Sequence, residues 1–172
     1  MNRLSDALDS FCCSQDKDIE LFLRQKALTF LSRKLCSIYL IIDEQEFDAG
    51  HIKILAYFTL SHKSLIPVEA SKSSIKNASG FKDSGSVHFV LIGQLGKHVE
   101  ERRDGSCLRA EVTGKEILDF AFEIIRASSS FIPCRCALVE CGKSEKVHKV
   151  YTDYHFSFFQ FDGEHYQFYK RI

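Results

Sequence analysis

Apolar and polar positions recur along the chain with two periods, and the switches between them mark out the elements. From Asp16 to Leu35, Ile19, Phe22, Leu23, Ala27, Phe30, Leu31 and Leu35 repeat at three and four, the period of an amphipathic helix, with Ser14 or Asp16 as its cap. Ser37–Asp43 and Ile52–Ser61 are apolar runs of strand type. The polar stretch Glu44–His51, containing Gly50, predicts a hairpin turn that pairs them antiparallel. Further on, Val87, Phe89, Val90, Leu91 and Ile92 run ahead of Gly93, which predicts a strand over 87–96 buried on both faces. A polar loop, E-E-R-R-D-G-S-C-L-R-A-E-V, follows. Ile117, Leu118, Ala121, Phe122 and Ile125 then form one face of a helix over 113–128, and Thr113 with Glu116 supplies a capping box at its start. A loop feeding a helix N-terminus is a ready anion site, because the first N–H groups lack helical partners and the dipole favours negative charge.

Cys134–Cys141 predicts a strand that completes a βαβ unit with 87–96 and 113–128, parallel and with a right-handed crossover. Glu145–Tyr154 predicts a short helix. Phe156–Phe161 and His165–Lys170 predict strands joined through Asp162-Gly163, a strong hairpin signal. His62–Ser86, rich in Ser, Lys and Gly and containing Pro67, suits either a mobile flap or a plain surface connection, with a short helix near Val68–Ile75. The whole reads as a single mixed α/β domain over 1–172 with no internal repeat.

Composition narrows the class. Residues that are 45% hydrophobic and 27% charged in a chain of 172 support a substantial core and argue against disorder. Balanced charge, 23 basic and 23 acidic side chains, gives no overall attraction to nucleic acid or an anionic membrane. Seven cysteines without a secretory core suggest reduced thiols and a cytoplasmic protein, and no run approaches the ~18 apolar residues of a membrane helix. Cys134, Cys136, Cys141 and His148 lack zinc-site spacing, so no metal is expected. The basic run Lys97, His98, Arg102, Arg103 and Arg109, with Lys143, Lys146 and Lys149 further on, could meet phosphates or RNA, or form a solvated face with the interleaved Glu100, Glu101 and Asp104.

The order of elements, with G-Q-L-G-K at 93–97, T-G-K-E-I-L at 113–118 and V-Y-T-D-Y-H-F at 150–156, resembles the GNAT-fold N-acetyltransferases over nearly the whole chain. F-C-C-S-Q-D-K-D-I-E-L-F-L at 11–23 and A-Y-F-T-L-S at 56–61 are similar to the branch that includes acetyltransferase toxins of toxin–antitoxin pairs. The resemblance implies a central mixed sheet, splayed open at the strand around 87–96 and flanked by helices. It implies acetyl-CoA as cosubstrate and an amine acceptor. The Leu95 amide would polarise the thioester carbonyl, with Lys97 next along the pantetheine arm. Arg109, Ala110, Glu111, Val112, Thr113, Gly114 and Lys115 would hold the pyrophosphate. Here the sequence departs from the family pattern, with Cys107 in place of Gln or Arg, and Ala110 and Val112 in place of small glycine-type residues. Tyr151 would protonate the departing thiolate, with Tyr154 behind it, and His155 stands where glycine is usual. No base stands out; Glu140, His88 and Glu100 are candidates by position. Aminoacyl-tRNA, an antitoxin-like protein and a second copy paired through the C-terminal aromatic strands are the expected partners, with no membrane. The altered phosphate loop and His155 equally suit a non-catalytic ligand-binding or protein-interaction module on the same fold.

Overall fold

A computed structural model describes residues 3–172. Helix α1 (Arg3–Ser10) precedes the first amphipathic segment, which is not one uniform helix. It consists of α2 (Lys17–Leu21), a π-helical turn (Phe22–Lys26) and α3 (Ala27–Ser32). Asp16 is the cap, accepting from the Asp18 and Ile19 N–H groups. A Schellman closure ends α3: Lys34 takes φ 57, its N–H donates to Leu31, and the Leu35 N–H donates to Phe30.

Strands β1 (Ser37–Ile42) and β2 (Ile54–Leu65) are sheet neighbours. The expected hairpin turn between them is instead a short helix, α4 (Glu44–Asp48). Asp43 decides this, since its carboxylate accepts from the Gln45 and Glu46 N–H groups before Gly50, at φ 89, redirects the chain. Helix α5 (Lys72–Ser79) starts after a Ser71 cap rather than at Val68.

Strand β3 (Val87–Lys97), helix α6 (Gly114–Ser129) and strand β6 (Cys136–Cys141) form the βαβ unit, with β3 and β6 parallel. The stretch expected as a polar loop contains a hairpin, β4 (Val99–Glu101) antiparallel to β5 (Cys107–Arg109), turning at Gly105 with φ 80. Its β5 residues are all exposed, so no alternation of apolar residues announces it. Helix α7 (Glu145–Asp153) and the antiparallel pair β7 (Ser157–Phe161) and β8 (Tyr166–Arg171) complete the fold. The larger sheet has six strands in the order β1-β2-β3-β6-β8-β7. No helix among the described residues is long and apolar enough to cross a membrane.

By internal contacts the chain forms two compact units, and β2, β3 and α6 pass from one to the other. The first comprises the residues up to Thr59 with Gln94–Ile117. Its core packs Leu8, Phe11, Phe22, Leu23, Ile54 and Tyr57. The second comprises Leu60–Gly93 with Leu118–Ile172, and its core packs Leu65, Val87, Phe89, Leu138, Phe159 and Tyr169.

Candidate active site

In the first unit, the Gln94 N–H donates to Thr59 Oγ1 at 2.9 Å, and the His98 N–H to the Leu55 carbonyl at 2.8 Å. These even-numbered amides face β2. Alternation along a strand turns the Leu95 and Lys97 amides the other way. On that side β6 pairs with β3 only over Val90↔Ala137, Leu91↔Leu138 and Ile92↔Val139, while β3 runs on to Lys97. The backbone of Leu95 and Lys97 is thus presented as an edge that can take an extended arm as an added strand. Gly96 between them is fully covered. A Cβ built on it would stand 2.7 Å from Tyr57 Cε1 and against Ile19 Cγ2, so only glycine lets α2 lie this close to β3.

The loop entering α6 is held at both ends. The Ala110 N–H donates to the His98 carbonyl at 3.0 Å. At the helix start the capping box closes reciprocally: the Thr113 N–H donates to Glu116 Oε2 at 2.7 Å, and the Glu116 N–H to Thr113 Oγ1 at 3.2 Å. The amides of Ala110 and Thr113 are therefore committed. Those of Glu111, Val112 and Gly114 have no protein acceptor among the described residues, and they are what an anion at this helix start would meet. Arg109, Glu111 and Lys115 are exposed and Val112 is half-buried. The carbonyl that anchors Ala110 belongs to a half-buried histidine. His98 Nδ1 accepts from the Cys12 N–H at 3.3 Å, its ring meets Phe11 edge-on, and burial lowers its pKa.

In the second unit, Tyr151 lies on α7 with its ring buried among Phe156 and Phe168. Among the described residues its hydroxyl has no hydrogen-bond partner, yet it is not sealed from solvent. Burial holds that hydroxyl well above the usual phenol range, so it is protonated at neutral pH. Tyr154 is engaged instead: its hydroxyl donates to Asp119 Oδ1 at 2.6 Å, its carbonyl accepts from Lys170 Nζ at 2.7 Å, and that ammonium stands 4.0 Å from its ring centre. His155 adopts φ 66, the left-handed conformation for which glycine is usual.

The candidate bases differ. Glu140 is tied to Lys63 Nζ at 2.6 Å and Gln167 Nε2 at 2.7 Å. His88 Nδ1 is 2.6 Å from Ser64 Oγ. Glu100 is exposed on β4. All seven cysteines are free thiols. Sequence reasoning gave Tyr57 no role and placed His98 in a basic run, whereas its ring is half-buried and accepts from the Cys12 N–H. The one signal available was Gly96 inside a strand, which marks a close approach without naming what approaches.

No protein-family model and no curated protein matches the sequence. Solved structures match the fold. AtaT complexed with acetyl-methionyl-tRNAfMet superimposes with a TM-score of 0.71 at 18% identity, covering 95% of this chain and 86% of that one. A mutant AtaT toxin bound to the C-terminus of the antitoxin AtaR and acetyl-CoA gives 0.68 at 17% identity, covering 97% and 88%. A Tyr-to-Phe mutant of KacT gives 0.70 at 14% identity, covering 95% and 86%. The chain has the GNAT fold of these toxin acetyltransferases.

Proposed function

We propose that this protein is an acetyl-CoA-dependent N-acetyltransferase, acting by direct attack in a ternary complex on the amino group of an aminoacyl-tRNA, as the toxin of a toxin–antitoxin pair. The observation that carries the reading is the stretch of β3 beyond its last β6 pair, which offers the backbone of Leu95 and Lys97. The fold's neighbours support the ligands: AtaT is solved with an acetylated methionyl-tRNA, and with acetyl-CoA and its antitoxin.

In this reading the pantetheine arm adds to β3 at Leu95 and Lys97. The pyrophosphate meets the amides of Glu111, Val112 and Gly114, with Arg109 and Lys115 supplying positive charge and Thr113 fixing the helix start. The neutral amine attacks the thioester carbonyl carbon. The oxyanion that forms accepts from the Leu95 N–H, a fixed dipole that gains most when the charge is fully developed. Collapse breaks the C–S bond, and Tyr151 donates its proton to the thiolate. Glu140 is engaged by Lys63 and Gln167, and His88 by Ser64, which leaves water or the exposed Glu100 to take the proton of the attacking nitrogen. An antitoxin-like protein is the proposed protein partner. Edge strand β7, with Phe158 50% exposed, supports pairing with a second copy.

Tyr151→Phe tests the assignment. Turnover falls about 10²-fold or more while acetyl-CoA affinity stays within about twofold, since general-acid groups typically contribute 10²–10⁴. Unchanged turnover removes Tyr151 from the role. A folded wild-type protein that fails to bind acetyl-CoA by calorimetry supports the non-catalytic module instead, the reading favoured by Ala110 and Val112 in the phosphate loop.

A further inference from the structure

We infer that Tyr57 is a positioning residue for the acyl transfer, holding the Leu95 amide in place by pinning α2 and the π-helical turn onto β3 at Gly96. The inference rests on the acetyltransferase reading. Every contact in it lies within the first compact unit.

Tyr57 is fully buried, and its hydroxyl donates to the Ile19 carbonyl at 2.6 Å. That carbonyl lies in α2, one turn before the helix changes register. In the π-helical turn each N–H reaches one residue further back, as the Ala27 N–H does to Phe22, while the Phe22 N–H is shared between Asp18 and Ile19. A tyrosine hydroxyl from β2 gives this carbonyl a donor from outside the helix at the switch. Burial raises the pKa of that hydroxyl far above any working pH, so it remains a donor.

The ring is fixed as firmly as the hydroxyl. Phe11 meets it edge-on at 5.4 Å, and Phe22 lies parallel to it at 6.4 Å. The Leu55–His98 and Thr59–Gln94 bonds put Tyr57 opposite Gly96, whose missing side chain is the space that Tyr57 and Ile19 fill. Gly96 is covalently between Leu95 and Lys97. Any slackening of Tyr57 or Ile19 is therefore transmitted to the amide assigned to the oxyanion. Misplacing such a donor by a fraction of its hydrogen-bond length removes most of its value in the transition state.

The test pairs a chemical readout with one that needs no chemistry. Tyr57→Phe keeps the ring and deletes the donor; Gly96→Ala adds the methyl that Tyr57 and Ile19 exclude. Hydrogen exchange at the Gln94 and His98 amides, which flank this stretch and are bonded to β2, reports placement. Steady-state kinetics with acetyl-CoA and methionyl-tRNA reports transfer. We expect exchange in both variants to quicken about tenfold, and kcat to fall about ten- to a hundredfold with the KM for acetyl-CoA within about twofold. Unchanged exchange overturns the inference even if kcat falls, and leaves the enzyme reading standing. A kcat that falls only in proportion to the folded fraction also overturns it, since that is a purely structural role. Absence of turnover by the wild type with methionyl-tRNA and with simple primary amines sinks the enzyme reading, and the positioning role falls with it.

Discussion

The loop Ala110–Gly114 and the turn Tyr154–His155 both carry a side chain where the GNAT resemblance leads one to expect glycine, and they do so with physically different consequences. In the loop, what an anion needs is unblocked amides. Among the described residues Glu111, Val112 and Gly114 keep theirs without a protein acceptor, although Ala110 and Val112 carry side chains. In the turn, what matters is a dihedral angle. His155 takes φ 66 regardless, with its N–H donating to Thr152 and the Phe156 N–H to Tyr151, each at 2.9 Å. A side chain in that conformation costs about 1–2 kcal/mol, and here the two backbone bonds that close α7 offset it. A motif scores both losses alike. In the proposed reading the loop's loss is steric and falls on ligand affinity; the turn's loss is conformational and falls on stability.

The largest effect that can break this comparison is steric. Gly114→Trp puts an indole across the free amides, and acetyl-CoA affinity is expected to fall at least tenfold, about 1.4 kcal/mol, by calorimetry, with the melting temperature nearly unchanged. Retained affinity would move the phosphate site elsewhere. The turn should respond oppositely. His155→Val, β-branched at positive φ, should lower unfolding free energy by about 1–2 kcal/mol, while His155→Gly should be neutral or stabilising by up to about 1 kcal/mol. Coenzyme affinity should follow neither. Equal stability of the Val and Gly variants would show that φ 66 carries no strain.

Much of the fold was legible because its elements are amphipathic. Ile117, Leu118, Ala121, Phe122 and Ile125, taken as one face from spacing alone, are all buried, and the Thr113–Glu116 box closes in both directions. The elements that escaped have no apolar period. Helix α4 is nucleated by one capping aspartate, and β5 is exposed throughout. The π-helical turn escaped for another reason: repeats at three and four cannot tell α from π over a single turn. For the site, the sequence named residues through the resemblance, as it did Tyr151. That Tyr154 is engaged with Asp119, that Tyr57 bonds Ile19 and packs against Gly96, and that the His98 carbonyl anchors Ala110, are facts of tertiary packing that no spacing encodes.

The smallest effect expected concerns pH and sharpens the contrast from the side of the loop. His98 Nδ1 accepts from the Cys12 N–H, so that nitrogen must be unprotonated, and its carbonyl anchors Ala110. Burial lowers the His98 pKa from its ordinary 6.5; Lys53 pushes the same way, and Glu100 and Glu20 oppose it. In the window below pH 6.5 the unfolded chain therefore binds a proton that the folded chain refuses. The stability contributed by neutral His98 is full above that pH and declines as pH falls toward the depressed folded value. Thermal unfolding between about pH 7 and 5.5 should show a falling midpoint, with faster exchange at the Ala110 amide. His98→Asn keeps an acceptor near the Nδ1 position and cannot titrate, so it should flatten both trends, whereas His155→Gly should leave the pH slope unchanged. An Asn variant with the wild-type slope would place the titration on another group and detach the loop from His98.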